Sequence, residues 1–250
     1  MLVALMYGFS ILPGTAGALL IAAGIAGICI FVAWELKTEK PILDITLFRT
    51  NKVFTFSNIA TLIHYSATFA ISFLLSLYLQ NIKGLSPQNA GVVLVSQPLV
   101  QAVFSPMAGK MSDRIEPRVV ASTGMAITAV GLFLLALIEA GTDTWFIVSA
   151  LALLGFGYAF FSSPNTNAVM SSVENRLFGV ASSMLGTMRL LGQVFSMGIV
   201  MVAFALYIGA VEIVPRHYPM LLKSITVIFT VFGFLCVGGI FASMTRGNIR

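Results

Sequence analysis

The side chains of this sequence that could do chemistry are polar groups placed inside long apolar stretches. In the stretch that begins near Val53, a helical projection at about 100° per residue puts eight polar side chains within about 120°, and Ser66 opposite them: Ser57, Asn58, Thr61, His64, Tyr65, Thr68, Ser72 and Ser76. This one-sided face predicts the wall of a polar cavity, although serine and threonine hydroxyls can instead bond to carbonyls of their own helix. Histidine as a residue type titrates near neutral pH, so His64 is predicted to be either a proton carrier or a hydrogen-bonded packing residue.

The next apolar stretch carries two amides that could face a substrate. Gln97, Gln101 and Ser105 follow each other at i, i+4 and i+8, between Pro98 and Pro106. Prolines inside a membrane helix interrupt its backbone hydrogen bonds and often mark bending points in transporters. Gln97 and Gln101 are therefore predicted to contact substrate, or else to join neighbouring helices by hydrogen bonds.

Arg189 is the most costly residue to bury in an apolar stretch. It lies about a dozen positions into its helix, on a narrow face shared with Ser182, Gly186, Gln193 and Ser196. Exposing a guanidinium to hydrocarbon costs several kcal/mol, so Arg189 must face protein or water, or extend to the cytoplasmic surface. In the run "SSPNTN", Asn165 beside Pro164 is expected to form part of an inner gate.

Composition identifies the solvent of these stretches as lipid. Hydrophobic residues make up 58% of the 250 residues, and the mean hydropathy is +0.97. A span with its connection takes about 35 residues, so the chain is predicted to be an all-α polytopic membrane protein with about seven transmembrane helices. The apolar blocks lie near 14–35, 53–80, 90–108, 119–140, 144–170, 178–209 and 221–244.

The remaining composition argues against several other classes of protein. The net charge of +5 comes with no basic stripe, so we expect no nucleic-acid partner. Cys29 and Cys236 both lie in apolar stretches, and His64 and His217 are the only histidines. We therefore expect no disulfide framework, no metal site and no cofactor. No enzyme motif such as His-Glu-x-x-His or Gly-x-Ser-x-Gly occurs, so a membrane-embedded enzyme is disfavoured.

Basic residues in the connections predict the orientation, because cytoplasmic loops are enriched in lysine and arginine. Alternating connections place three basic residues on one side, namely Lys83, Arg216 and Lys223. The other side holds ten, namely Lys37, Lys40, Arg49, Lys52, Lys110, Arg114, Arg118, Arg176, Arg246 and Arg250. The side with ten is predicted to be cytoplasmic, and the C-terminus with it.

The cytoplasmic turn "GKMSDRIEPR" (109–118) gathers five charges into ten residues. An anchor that sets orientation needs only basic residues, so Asp113 requires another explanation. Its carboxylate could meet the positive N-terminal end of a neighbouring helix and be held by Arg114 or Arg118. Gly109 would let two helices approach closely just before the turn. These four residues are predicted to form a conformational latch.

The same four positions resemble the cytoplasmic loop signature of the major facilitator superfamily, in the copy that belongs to its second half. Three more segments resemble the fourteen-span drug:proton antiporter branch: "YLQNIKGLSPQNAG" (78–91), "WELKTEKPILDITLFR" (34–49), and "GFGYAFFSSPNTNAV" (155–169) followed by "GVASSMLGTMRLLGQ" (179–193). Glu116 departs from the pattern, since glycine is usual there.

The resemblance implies the C-terminal half of a major facilitator fold. It divides the chain into the tail of a linking helix (1–12), a second linking helix (13–35), a cytoplasmic connection (36–52), a six-helix bundle (53–244) and a cytoplasmic tail (245–250). The N-terminal bundle would then be encoded upstream or separately, or be lost from a truncated gene.

The resemblance also implies the function. We expect a multi-pass plasma-membrane antiporter that exports small amphipathic molecules in exchange for protons, as in multidrug efflux. The alternative is a non-transporting half-transporter with a structural or regulatory role.

Overall fold

A computed structural model describes residues 4, 7–8, 11, 14–35, 46–209 and 214–247 of the chain. Residues 36–45 of the predicted connection (36–52) lie outside the described residues. The end of the tail, with Arg250, and most of residues 1–13 also lie outside them. The described residues form α-helices with short 3₁₀ and π segments, and none of them is in a strand. The all-α prediction is therefore confirmed.

Nine α-helices are described. They are α1 (Thr15–Glu35), α2 (Thr46–Thr50), α3 (Lys52–Thr68), α4 (Ile71–Leu77), α5 (Pro87–Ser112), α6 (Pro117–Ala136), α7 (Thr144–Ser171), α8 (Phe178–Tyr207) and α9 (Tyr218–Thr245). Several begin at residues that favour a helix start: Asn51, Ser86 and Asp143 cap α3, α5 and α7 by accepting a backbone N–H in the first turn.

Six described segments are long and apolar enough to cross a membrane. They run over Lys52–Ile82, Pro87–Ser112, Pro117–Ala136, Thr144–Ser171, Asn175–Tyr207 and Pro215–Thr245. The remaining predicted block, at 14–35, forms α1. Its apolar stretch Thr15–Gly27 is shorter than the six spans. The predicted blocks from residue 53 onward thus correspond to the six spans of the bundle.

The first of the six spans is interrupted near its middle. Helix α3 ends at Thr68 and α4 begins at Ile71, so Phe69 and Ala70 form a break. The N–H of Ala70 donates to Ser196 Oγ on α8, at 3.1 Å, which replaces a bond lost from the helix. In a bilayer a broken helix persists only where protein or a cavity satisfies its backbone, and Ser196 supplies one such contact here.

Glycines bring the helices close together at two contacts. A Cβ at Gly157 of α7 would lie 2.5 Å from Thr128 Oγ1 of α6, and one at Gly192 of α8 would lie 2.7 Å from the Leu62 carbonyl of α3. No side chain fits at either position, so the close packing of these helix pairs requires glycine.

The two ends of the bundle differ in what they bury. The largest apolar cluster includes Leu74, Leu132, Leu151 and Phe229, at the end opposite the 109–118 turn. Buried polar side chains such as Ser57, Asn165 and Ser243 gather at the end nearer that turn. Polar contacts between helices are therefore concentrated at one end of the bundle.

Candidate functional site

A cavity of about 410 Å³ lies beside the break between α3 and α4. Side chains from α3, the break, α4, α5, α7 and α8 line it: Tyr65, Thr68, Phe69, Ser72, Phe73, Gln97, Tyr158 and Met197. Four of these side chains carry aromatic rings, four carry hydroxyls (two of them tyrosines) and one carries an amide. A mostly apolar wall with a few polar groups is typical of a small-molecule site.

The structure divides the polar face predicted on the first span into two parts. Tyr65, Thr68 and Ser72 line the cavity. Asn58 and Thr61, one to two turns earlier, are buried between helices. The Thr61 hydroxyl donates to the Ser57 carbonyl of its own helix at 2.9 Å, the bonding that the alternative interpretation predicted. Of the predicted face, Tyr65, Thr68 and Ser72 therefore line the cavity, and Ser76 is not among the lining residues.

His64 is buried among aromatic rings. Its imidazole is 1% exposed and stacks on Phe161 with the ring centroids 4.0 Å apart. Tyr158 and Tyr65 approach its edges, at 4.8 and 5.8 Å between centroids. Within the described structure neither ring nitrogen has a hydrogen-bond partner. A buried donor without a partner costs about 1–3 kcal/mol, so the surroundings of His64 are unfavourable for a polar side chain.

A polar cluster joins three helices near the 109–118 turn. Asn165 Nδ2 on α7 donates to the Ser57 carbonyl at 3.1 Å and to Thr61 Oγ1 at 2.8 Å, both on α3. Arg246 Nη1, just past the end of α9, donates to Asn165 Oδ1 at 2.9 Å and to Ser57 Oγ at 3.1 Å. Asn165 therefore connects α3 and α9, which fits the predicted gate position without testing it.

Arg246 is counted in the sequence as one of the basic residues that orient the chain. It is 0% exposed, although its position past the last apolar block suggested an orienting charge at the membrane surface. Gly247, at φ 85°, ends the helix directly after it, and a left-handed residue there is a common helix stop. Burial lowers the pKa of Arg246 to about 10, with Glu116 opposing that shift and Arg118 adding to it. The guanidinium therefore stays charged at neutral pH.

Arg189 contacts protein and is partly exposed. Its Nη2 donates to Thr166 Oγ1 on α7 at 3.0 Å, and its Cζ lies 5.8 Å from the centroid of the Tyr65 ring. Tyr65 also lines the cavity, so the ring that the guanidinium approaches is part of the cavity wall. Gln193 follows Arg189 by one turn and Met197 by two, along the face of α8 that leads to the cavity.

The two amides of α5 occupy different positions. Gln97 is buried and lines the cavity. Gln101 lies one turn further along and is partly buried. Its backbone carbonyl accepts from the Ser105 hydroxyl at 2.6 Å. Gln97 is therefore placed to contact a bound molecule, whereas Gln101 lies outside the lining of this cavity.

In the 109–118 turn, the partner of Asp113 differs from the one predicted. Asp113 Oδ1 accepts from Asn167 Nδ2 on α7 at 3.1 Å. Among the described residues the only ion pair joins Arg176 and Glu174, so Asp113 pairs with neither Arg114 nor Arg118. Asp113 lies at the C-terminal end of α5, and its observed partner is on α7.

Other contacts in the turn agree with a close helix approach. A Cβ at Gly109 would lie 3.1 Å from Ser163 Oγ on α7. Arg118 faces a groove of about 370 Å³ on the opposite side, between α6 and α9. The turn thus connects α5 to α7 through Asp113 and Asn167, and Arg118 lies apart from that contact.

The described carboxylates all lie at helix ends or in connections. They are Glu35, Asp113, Glu116, Glu139, Asp143 and Glu174. None of them is inside one of the six spans, where the charged or titratable groups include His64 and Arg189. The cavity therefore presents aromatic rings, hydroxyls and one amide, with a positive charge nearby.

Known proteins resemble this chain over most of its length. The sequence profile of the Major Facilitator Superfamily matches residues 57–247. Riboflavin transporter RibZ of Clostridioides difficile is 33% identical over 169 residues, which is 66% of this chain and 37% of the relative. Uncharacterized transporter YebQ of Escherichia coli is 34% identical over 176 residues, which is 70% of this chain and 38% of the relative.

A third relative is named for drug resistance. Multidrug resistance protein Stp of Mycobacterium tuberculosis is 28% identical over 185 residues, which is 74% of this chain and 34% of the relative. In all three comparisons the matched region spans little more than a third of the relative's own length. The six apolar spans and the profile match over residues 57–247 agree, and this chain belongs to the Major Facilitator Superfamily.

Proposed function

We propose that this chain is the C-terminal bundle of a secondary transporter that exports small amphipathic molecules in exchange for protons. The observation that carries the proposal is the cavity beside the broken first span, lined by aromatic and polar side chains from several helices. Relatives named a riboflavin transporter and a multidrug resistance protein support an organic substrate with a sizeable ring system.

In this proposal His64 couples transport to protons. Its ring lies behind Tyr158, which lines the cavity, so a modest rearrangement of that tyrosine would expose the imidazole to the cavity. The titratable and charged groups around it are Tyr65 and Tyr158, with Cys236 beyond Tyr158 and Arg189 beyond Tyr65. Because no described carboxylate contacts the ring, a proton on His64 would be held only in a conformation that admits water.

The bundle would lie in the plasma membrane with the 109–118 turn and the C-terminus in the cytoplasm. The 109–118 turn would act as the latch, through Asp113 and Asn167, in one conformation of the transport cycle. Asn165 and the polar cluster around it would close the inner end of the bundle.

The test is proton-driven transport in inverted membrane vesicles that contain the protein. An imposed pH gradient should drive uptake of a fluorescent organic substrate such as riboflavin, and collapse of the gradient with an ionophore should abolish it. His64→Gln keeps the approximate size and hydrogen-bonding groups but cannot titrate. This variant should flatten the dependence of transport on pH between about 5 and 8.

A matched control is Gln97→Glu. It adds a titratable group to the cavity wall but leaves His64 in place, so it should change the pH profile without flattening it. If His64→Gln transports with the pH profile of the unmodified protein, His64 is a packing residue. If no variant transports in response to a pH gradient, the proton-coupled exporter is the wrong function.

A further inference from the structure

The cavity wall has the chemistry of a site for flat rings. The rings of Tyr65, Phe69, Phe73 and Tyr158 surround it, and Gln97 supplies an amide that can both donate and accept. Aromatic faces bind planar π-systems by stacking, which contributes about 1–3 kcal/mol per ring in nucleic-acid complexes. Aromatic rings can also bind cations, so the wall alone does not decide the charge of the bound molecule.

The charge next to the cavity decides it. The Arg189 guanidinium lies 5.8 Å from the centroid of Tyr65, so one ring of the cavity wall already has a cation near it. Within the described spans no carboxylate offsets this charge, because the described acids lie at helix ends and in connections. A second cation stacked on Tyr65 would meet like charge in a poorly screened environment.

We infer that this cavity binds planar aromatic molecules that are neutral or anionic and selects against planar cations. The inference deepens the proposed function, because it names the substrate class of that site. Tyr65 is the stacking platform, Gln97 the hydrogen-bonding contact and Arg189 the residue that sets the charge preference.

The expected size of the charge preference follows from the helix geometry. Met197 lines the cavity and lies eight residues from Arg189 on α8, which is about 12 Å of helix rise. Two unit charges about 12 Å apart at an effective dielectric constant of about 20 change an affinity by about tenfold. Arg189 should therefore disfavour a monovalent cation, and favour a monovalent anion, by about tenfold each.

The experiment measures equilibrium binding to the purified full chain in lipid nanodiscs by fluorescence. Riboflavin supplies a neutral planar ring, riboflavin 5′-phosphate supplies the same ring with negative charge, and ethidium supplies a planar cation. The phosphate should bind at least as tightly as riboflavin, and ethidium about tenfold or more weakly. Arg189→Gln should lower the ratio of phosphate affinity to ethidium affinity by about tenfold or more.

Three further variants separate charge, stacking and folding. Arg189→Lys keeps the charge and should keep the order of affinities. Tyr65→Leu removes the stacking platform and should weaken all three probes by about fivefold or more. Phe241→Leu changes an exposed ring on α9, far from the cavity lining, and should leave all three affinities unchanged.

The inference is overturned if ethidium binds tightest, or if Arg189→Gln leaves the ratio of affinities as it was while Tyr65→Leu weakens binding. Binding in the expected order without gradient-driven transport would refute the proposed function and leave the inference standing. Gradient-driven transport with a preference for cations would do the reverse.

Discussion

Replacing Arg246 tests whether the buried polar cluster holds the inner end of the bundle together. Its guanidinium donates hydrogen bonds to Ser57 and Asn165. Because the donor is charged, each bond contributes about 1.5–3 kcal/mol. Against this, burial lowers the pKa from its usual 12.5 to about 10, which corresponds to a cost of roughly 3 kcal/mol at neutral pH. Together the two bonds contribute about 3–6 kcal/mol, so they equal or exceed the desolvation cost in the folded chain.

We expect Arg246→Ala to destabilise the folded chain. It removes the desolvation cost, but it leaves Ser57 Oγ and Asn165 Oδ1 without this donor and opens a cavity at a site with 0% exposure. Each buried acceptor left unpaired costs about 1–3 kcal/mol. We expect the free energy of unfolding to fall by about 2–4 kcal/mol and the melting temperature by about 4–16 °C.

Thermal unfolding in detergent, followed by the reaction of a thiol-sensitive dye with the buried Cys236, measures this change. Arg246→Met keeps much of the volume without the charge and should lie between Arg246→Ala and the unmodified chain. Arg176→Ala is the control, because Arg176 pairs with Glu174 on the surface and should change stability by about 0.5 kcal/mol or less. Equal melting temperatures for Arg246→Ala and Arg176→Ala would contradict the burial of Arg246 in this cluster.

Three other predictions follow from particular contacts. The Asp113→Asn variant should insert into the membrane normally but transport roughly 10- to 150-fold more slowly, if the contact of Asp113 with Asn167 is made in one conformation only. A normal transport rate would mean that the turn is only an orienting anchor. Gly157→Leu should prevent the close packing of α6 and α7 and lower the yield of folded protein, and an unchanged yield would argue against that contact. Single cysteines at Lys83 and Lys110 should label from opposite sides of intact cells, since one span separates them; labelling of both from outside would overturn the topology.

The spans could be predicted from the sequence because hydropathy and length alone determine which segments cross a bilayer. The rotation of each helix about its axis could not. The projection that grouped Thr61, His64 and Thr68 was correct for one helix, but it contains no information about which helix covers each turn. Helix α7 covers the first two residues with Asn165 and Phe161, and only Thr68 remains beside the cavity.

The burial of Arg246 could not be predicted from the sequence for a different reason. A basic residue just beyond an apolar block satisfies the positive-inside pattern equally well whether it is exposed or buried. Its burial depends on amide and hydroxyl groups 81 and 189 residues away in the chain, which pattern analysis cannot pair with it. The break at Phe69 and Ala70 was likewise hidden, since neither residue is a glycine or a proline.

We expect the cavity beside the broken first span to be the route of the transported molecule. Cysteine replacements at Thr68, which lines the cavity, and at Thr61, which is buried between helices, test it in a chain whose Cys29 and Cys236 have been replaced. A charged aqueous thiol reagent should label position 68 and not position 61, and riboflavin should protect position 68. Equal labelling at both positions, or labelling at 68 that riboflavin leaves unchanged, would contradict the claim.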